Sequence, residues 1–441
     1  MAAKHFAALA LVPLAVSASL PHFAAAAAAL LPPPGAPSQR ERMATAVAPP
    51  LHLTPRDPPP GGWPNWTATW IFNNMTTVHD ANCLDGSPPL YYVSPGFGDG
   101  ADKWQLHHVG GAWCSDAQGC MGWWGWVNTL TFPATMPAYN AATASYAYFD
   151  RTAPTNSMWN WNYAFLHYCD GYSFVSDAPT VQVGNQSVWF RGHAISQAIR
   201  QDLLLNKGMD RATDVVVGGC SAGGMAVLLQ CDAWADSIRQ SNAATKTRCL
   251  ADSGWFPWAP PETPNGDGFN EAWIGGYERM MNDANITEIL SPDCVAKYAN
   301  NGSFTWTCVM AEVNSLYTKT PMFVYQSQFD GFQIPIMEHC DNAPYCTPDN
   351  ITWWGKNLVV EPITRWLASQ NAVAANSVAF VDSCGHHCGD GQEFGVIKSW
   401  NRGNKTAAEV FGQWLDDPAS VAGLWIQNTT FPCVGCCNNT A

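Results

Sequence analysis

Charge is scarce in this chain. Only 13% of its residues are charged, and the basic sign is the scarcer: 21 Lys and Arg against 35 Asp and Glu, a formal net charge of −14. Phosphate binding needs a basic face, so nucleic acid is not an expected partner. An acidic surface also repels a polyanionic substrate at long range, although salt screens the effect. Arginine is absent before Arg40, which argues against an organellar presequence. No internal repeat is present. Beyond residue 62 no second long low-complexity segment appears, so no second domain boundary is read. The sequence also lacks the paired Cys/His spacing of a zinc finger. Only Cys384-Gly-His-His-Cys388 mixes the two ligand types, so no metal is expected.

The first segment that is present carries one early positive charge, Lys4, followed by an apolar run from Phe6 to Val16 and the small residues Ser17 to Ser19. Residues 1–31 therefore read as a secretory signal peptide. The rival is an uncleaved signal anchor, weakened by Pro13, Pro21 and His22, and membrane contact is expected only in that case. Residues 32–62 are dense in proline and read as a linker. Residues 63–441 form the expected folded domain, a monomer. Its 16 cysteines all lie between Cys83 and Cys437, an even count that favours disulfides. Short-range pairs such as Cys114/Cys120, Cys340/Cys346 and Cys384/Cys388 are possible, but connectivity is open. Sequons begin at Asn65, Asn74, Asn185, Asn285, Asn301, Asn350, Asn404, Asn428 and Asn438, which fits a glycosylating secretory route.

The chain is organised around Asp214 to Asp232. Val215, Val216 and Val217 read as a buried strand, Gly219-Cys-Ser-Ala-Gly223 as a tight turn, and the residues from Ala222 onward as a helix. Strand, glycine turn and helix are the setting of a nucleophile elbow, with Ser221 exposed near a helix N-terminus. The plainer reading is a glycine-rich strand–helix turn. Upstream, an extended Trp104 to Val109 ends in Gly110-Gly-Ala-Trp-Cys114. A strand closing on His-x-Gly-Gly suits an oxyanion hole, because the chemistry needs free backbone amides and glycine lets them approach. The candidate donors are the amides of Gly111, Ala112 and Ala222; the bland alternative is a turn. His193 to Asn206 reads as an amphipathic helix stopped by Gly208.

A serine nucleophile needs a base and a carboxylate to hold that base, and in this fold type the order is serine, acid, histidine. The strand from Pro321 ends in Asp330-Gly331, where a triad acid would sit. Asp341, Asp349 and Asp382 compete less well. His386 and His387 follow the strand from Ser377, and either can be the base. The chain has 22 tryptophans, densest at Trp123, Trp124 and Trp126. On a loop these rings can stack on sugars, although packing is the commoner role.

These motifs, in this order, resemble the pectin acetylesterase family of plants, which also contains the animal carboxylesterase Notum. The matching stretches are Cys83-Leu-Asp-Gly-Ser-Pro-Pro, Gly110-Gly-Ala-Trp-Cys114, Tyr168-Cys-Asp-Gly-Tyr-Ser-Phe, Gly219-Cys-Ser-Ala-Gly-Gly, Cys249-Leu-Ala-Asp-Ser-Gly, Phe329-Asp-Gly-Phe-Gln, and Ser383-Cys384 through His387-Cys388. The resemblance implies an α/β-hydrolase-like, mostly parallel sheet flanked by helices, with disulfide-stapled loop insertions. It implies a serine esterase with Ser221 as nucleophile, Asp330 as acid and His387 as base, needing no cofactor. Ala112 stands where the family has a third glycine. The implied activity is removal of O-acetyl groups from a cell-wall or extracellular polysaccharide; the charge favours a neutral acetylated polymer. The alternatives are removal of a longer acyl chain from a protein or lipid, and an inactive sugar-binding homologue.

Overall fold

A computed structural model describes residues 56–72, 75–114, 116–122, 127–136, 147–257, 286, 289–299, 305–337, 347–369, 374–389 and 393–437. The strands are β1 (Trp66–Trp70), β2 (Leu90–Ser94), β3 (Lys103–His108), β4 (Thr135–Met136), β5 (Asn162–Leu166), β6 (Val181–Val183), β7 (Gln186–Val188), β8 (Asp214–Cys220), β9 (Lys246–Asp252), β10 (Met322–Ser327), β11 (Val378–Asp382) and β12 (Gly423–Ile426). Ten of them form one sheet in the order β12-β11-β10-β9-β8-β3-β5-β2-β1-β4, and β6 pairs with β7 apart from it. From β12 to β5 every neighbouring pair is parallel. The far edge, β2, β1 and β4, is antiparallel.

A parallel sheet is covered on both faces, so its strands carry unbroken apolar runs. The period-two alternation sorts those runs into two cores. Val215, Val217, Cys249, Ala251, Met322, Val324 and Val381 face one core. Val216, Leu250, Phe323, Tyr325 and Phe380 face the other. The first core is covered by α1 (Gly192–Asn206), α2 (Ala222–Ser241) and α3 (Glu361–Ser369), which contribute Ile195, Ile199, Met225, Ile363 and Trp366. The second is covered by α4 (Ala407–Asp416), through Val410, Phe411 and Trp414. Helix α1 occupies the expected span, and Gly208 follows it in the left-handed region, φ 86°. Among the described residues no helix is long and apolar enough to cross a membrane.

The disulfides are Cys83–Cys169, Cys114–Cys120, Cys220–Cys388, Cys231–Cys249, Cys294–Cys308, Cys384–Cys437 and Cys433–Cys436. The Cys384/Cys388 pairing expected as possible is therefore incorrect. Cys384 lies just beyond β11 and faces the C-terminal tail, whereas Cys388 has passed round a turn and faces the end of β8. The Cys340/Cys346 pair lies outside the described residues.

Helix α2 approaches the sheet through glycine. A Cβ on Gly223 would stand 1.9 Å from the His108 carbonyl oxygen, and one on Gly224 would stand 2.5 Å from that of Asp252. Both obstacles are main chain and cannot rotate away. Gly223→Ala is therefore expected to cost ~1–3 kcal/mol or more, as overpacking does. Chemical denaturation measures it; an unchanged midpoint would contradict the close approach.

Candidate active site

Ser221 sits between β8 and α2 with φ 58° and ψ −125°, a conformation that L-residues rarely adopt. Its side chain is nearly buried, and its amide donates to the Asp252 carbonyl oxygen at 2.9 Å. The loop after β3 packs directly onto it. A Cβ on Gly110 would lie 2.7 Å from Ser221 Cβ and 2.5 Å from the Cys220 oxygen, which explains the first glycine of Gly110-Gly-Ala. Ala112 has φ 60°, and its carbonyl accepts from the Tyr168 hydroxyl at 2.9 Å. That hydroxyl in turn accepts from Ser173 N at 3.0 Å. Among the described residues, the amides of Gly111, Ala112 and Ala222 donate to no protein acceptor, so they stay available to a ligand oxygen.

Asp330 and His387 meet. His387 Nδ1 lies 2.9 and 2.8 Å from the two Asp330 carboxylate oxygens, and Asp330 is 1% exposed. Asp330 Oδ1 also accepts from the amides of Phe332 and Gln333 at 2.8 and 2.9 Å. An acceptor-only carboxylate facing Nδ1 requires the hydrogen there, which leaves Nε2 as the lone pair of a neutral ring. That Nε2 is buried and makes no hydrogen bond among the described residues. Phe332 stacks on the imidazole at 4.8 Å between ring centres, and Phe256 stands edge-on at 6.4 Å. Trp113 meets Phe256 edge-on at 4.7 Å, so aromatic rings wall this side. The disulfide Cys220–Cys388 joins the residue before Ser221 to the residue after His387, with Cα atoms 5.7 Å apart.

The neighbouring histidine is placed differently. His386 Nε2 lies 2.8 Å from Asp382 Oδ2, and Nδ1 lies 3.0 Å from the Cys388 carbonyl oxygen. Nε2 also lies 3.3 Å from the Tyr325 hydroxyl, whose own hydrogen bond goes to Asp382. With an acceptor at each nitrogen, both carry hydrogen and the ring is an imidazolium. Burial opposes that charge, but the Asp382 carboxylate, with Glu393 and Asp252 adding, outweighs it and pushes His386 up to about 10. Asp382 thus serves His386. Asp349 lies in the helix Pro348–Trp354, and Asp341, Trp123, Trp124 and Trp126 lie outside the described residues. Among the described residues no cluster of His, Cys, Asp or Glu could hold a metal ion.

Sequence reasoning missed Asp252, which lies at the end of β9 and is fully buried. Burial pushes its carboxyl up to about 6, against hydrogen bonds from Gly389, Tyr148 and Ser253 and the charge of His386. It also missed Asp170, whose carboxylate accepts from Phe174 N, Tyr172 N and the Ser176 hydroxyl and so orders the loop that carries Ser173. Each carboxylate is followed within three residues by both Ser and Gly, in Asp170-Gly-Tyr-Ser173 and Asp252-Ser-Gly254, a usable signal for turn-binding acids.

His386 binds its proton more tightly in the folded chain than in the unfolded one. Its contribution to stability is therefore complete below the unfolded value of about 6.5 and is lost as pH rises through about 10. The buried groups facing it are Asp382, Asp252, Glu393 and Tyr325. Asp252 is also raised, so its contribution is lost with rising pH in the same sense, but its value near 6 confines that change to pH below about 7. The stability gap between the natural chain and His386→Gln should therefore be wide at pH 7 and shrink by pH 10. Denaturation curves across that range measure it, and a gap that is constant with pH would contradict the imidazolium.

The pectinacetylesterase family model matches residues 67–438. Pectin acetylesterase 5 of Arabidopsis thaliana is 28% identical over 389 residues, 83% of this chain and 84% of that protein. Palmitoleoyl-protein carboxylesterase notum1' of Xenopus laevis is 30% identical over 292 residues, 66% of this chain and 54% of that one. Among solved structures, the Wnt deacylase Notum from Drosophila superposes with a TM-score of 0.65, over 85% of this chain and 99% of that one, at 23% identity. That likeness establishes the fold, a mostly parallel α/β-hydrolase sheet flanked by helices. The chain belongs to the pectinacetylesterase family and is a carboxylic ester hydrolase.

Proposed function

We propose that the chain removes O-acetyl groups from an extracellular polysaccharide through a Ser221–His387–Asp330 triad. The observation that carries this is the contrast at His387: Nδ1 is held by both Asp330 oxygens while Nε2 is buried and unused. The disulfide ties that histidine's loop to the elbow. Ser221 Oγ attacks the ester carbonyl, and its proton moves to His387 Nε2. Asp330 holds the ring in the required tautomer and stabilises the imidazolium that forms. The amides of Gly111, Ala112 and Ala222 receive the developing oxyanion. The proton on Nε2 then passes to the departing sugar oxygen, leaving an acetyl ester on Ser221. Water attacks that ester with His387 again as base, and acetate leaves.

The acetyl reading is supported by the Arabidopsis relatives, which are named as pectin acetylesterases. The net charge of −14 argues for a neutral acetylated polymer over a polyanionic one. Trp123, Trp124 and Trp126 follow the oxyanion loop closely in sequence and are proposed to contact the sugar chain. The disulfides fit an oxidising compartment, and residues 1–31 are read as the leader that delivers the chain there. A second reading, removal of a longer acyl chain, is favoured by the rings of Phe256, Phe332 and Trp113 beside His387 and by the likeness to the palmitoleoyl-protein carboxylesterases.

The two readings separate on p-nitrophenyl esters of increasing chain length. Acetate should give the highest kcat/KM; a preference for octanoate would replace the first reading with the second. Ser221→Ala and His387→Ala should each lower kcat by on the order of 10⁴–10⁶.

The oxyanion donors are tested at Ala112. Its φ of 60° suits glycine, and only its N–H takes part. Ala112→Gly should keep turnover within a few-fold and leave stability equal or higher. A loss comparable to that of a deleted donor, about 10²–10³ in kcat, would remove Ala112 from the oxyanion hole.

A further inference from the structure

Beyond the triad, one buried carboxylate touches both halves of the site. The main-chain oxygen of Asp252 accepts from the Ser221 amide at 2.9 Å. Its side-chain Oδ2 accepts from Gly389 N at 2.7 Å and from the Tyr148 hydroxyl at 3.0 Å. Its Oδ1 accepts from the Ser253 hydroxyl at 3.1 Å, and that hydroxyl oxygen accepts from Cys388 N at 2.8 Å. The two residues that follow His387 are thus fastened to Asp252, one directly and one through Ser253. The residue that precedes it, His386, is fastened to Asp382. Asp252 is 0% exposed, and burying a carboxylate is unfavourable unless donors surround it. The donors that surround this one are two groups that fix the base loop and one tyrosine from the segment before β5.

We propose that Asp252 is a positioning residue of the esterase, setting where His387 stands relative to Ser221. It touches neither substrate nor the reacting atoms. It acts by fixing the turn at Cys388, where φ is 69° and the backbone would otherwise relax. The inference rests on the triad reading above.

Asp252→Asn keeps the shape but turns one acceptor oxygen into a donor, so one of the three hydrogen bonds to the carboxylate fails. With p-nitrophenyl acetate, kcat should fall by roughly 10²-fold with KM within about threefold, because a small misplacement of a catalytic group acts on turnover. Labelling of Ser221 by a fluorophosphonate should slow in parallel, since it needs the same base. Ser253→Gly removes the bridging hydroxyl at a position with φ 47°, where glycine is relaxed, and should lower kcat by about tenfold in the same pattern. If Asp252→Asn does not fold, Ser253→Gly decides. Folded variants with kcat within twofold of the natural chain, or with only KM raised, overturn the positioning role. Ser221→Ala run alongside separates the two failures. Turnover surviving there sinks the triad itself, whereas an inactive Ser221→Ala beside a fully active Asp252→Asn sinks only the role of Asp252.

Discussion

On the proposed triad, the base has to be carried across the sheet. His387 follows β11, yet Ser221 follows β8, and β10 and β9 lie between them. Three strand spacings amount to roughly 14 Å. The loop from β11 crosses that gap without a hydrogen-bonded ladder of its own, and each strand end on the way supports it. Past β10, Asp330 takes the His387 ring, and Gly331 N donates to the His386 oxygen at 3.0 Å. At β9, Asp252 and Ser253 take the amides of Gly389 and Cys388. At β8, Cys220 closes the span through its disulfide to Cys388. The parallel order of the sheet is what sets these supports in line, because every one of them stands at a strand's C-terminal end.

The same arrangement accounts for where the backbone is strained. Ser221, Ser253, Cys388 and Ala112 all have φ between 47° and 69° although none is glycine. Such residues cost on the order of 1 kcal/mol or more each and persist only where neighbours over-determine them. Here the neighbours are identifiable. Ser221 is held by the Asp252 carbonyl, Cys388 by its disulfide and Ser253, and Ala112 by the Tyr168 hydroxyl. The glycines at 110, 223 and 224 allow the supporting segments to approach closely enough to do this.

Much of the fold was legible in the sequence because it is local. The valine run of β8, the amphipathic face of α1 and the strand before Asp330 are each written in a few consecutive residues, and each element lies where its pattern puts it. The site was legible only as far as the elbow and the glycines around it. The linear rule for the acid, a carboxylate past a strand end beside glycine, fits Asp330-Gly331, and Asp252-Ser253-Gly254 comes close to it. Both lie between the serine and the histidines. Only the sheet order tells them apart, because it sets one carboxylate against the imidazole and the other against the Gly389 amide and the hydroxyls of Ser253 and Tyr148. Cys388 was misread for the same reason: its partner is 168 residues away and close only after β8 to β11 have paired.

The two adjacent histidines show how little separates a structural role from a chemical one. They share a loop, a disulfide and a shell of carboxylates. His386 has an acceptor at each nitrogen and is locked as a cation, so it has no lone pair to offer. His387 has acceptors at one nitrogen alone, and the other is buried beside Phe332 and close to Phe256. An aromatic ring offers no hydrogen to Nε2 and excludes the water that would, so the lone pair is kept unpaired without being solvated. On the proposed mechanism that is the state a base needs before a serine hydroxyl reaches it. The charge fixed on His386 also lies within the same buried network as Asp252 and Asp382, where it offsets two carboxylates that would otherwise repel each other. One imidazolium therefore makes it possible for the loop to be anchored by anions on both sides, and that anchoring holds its neighbour in place.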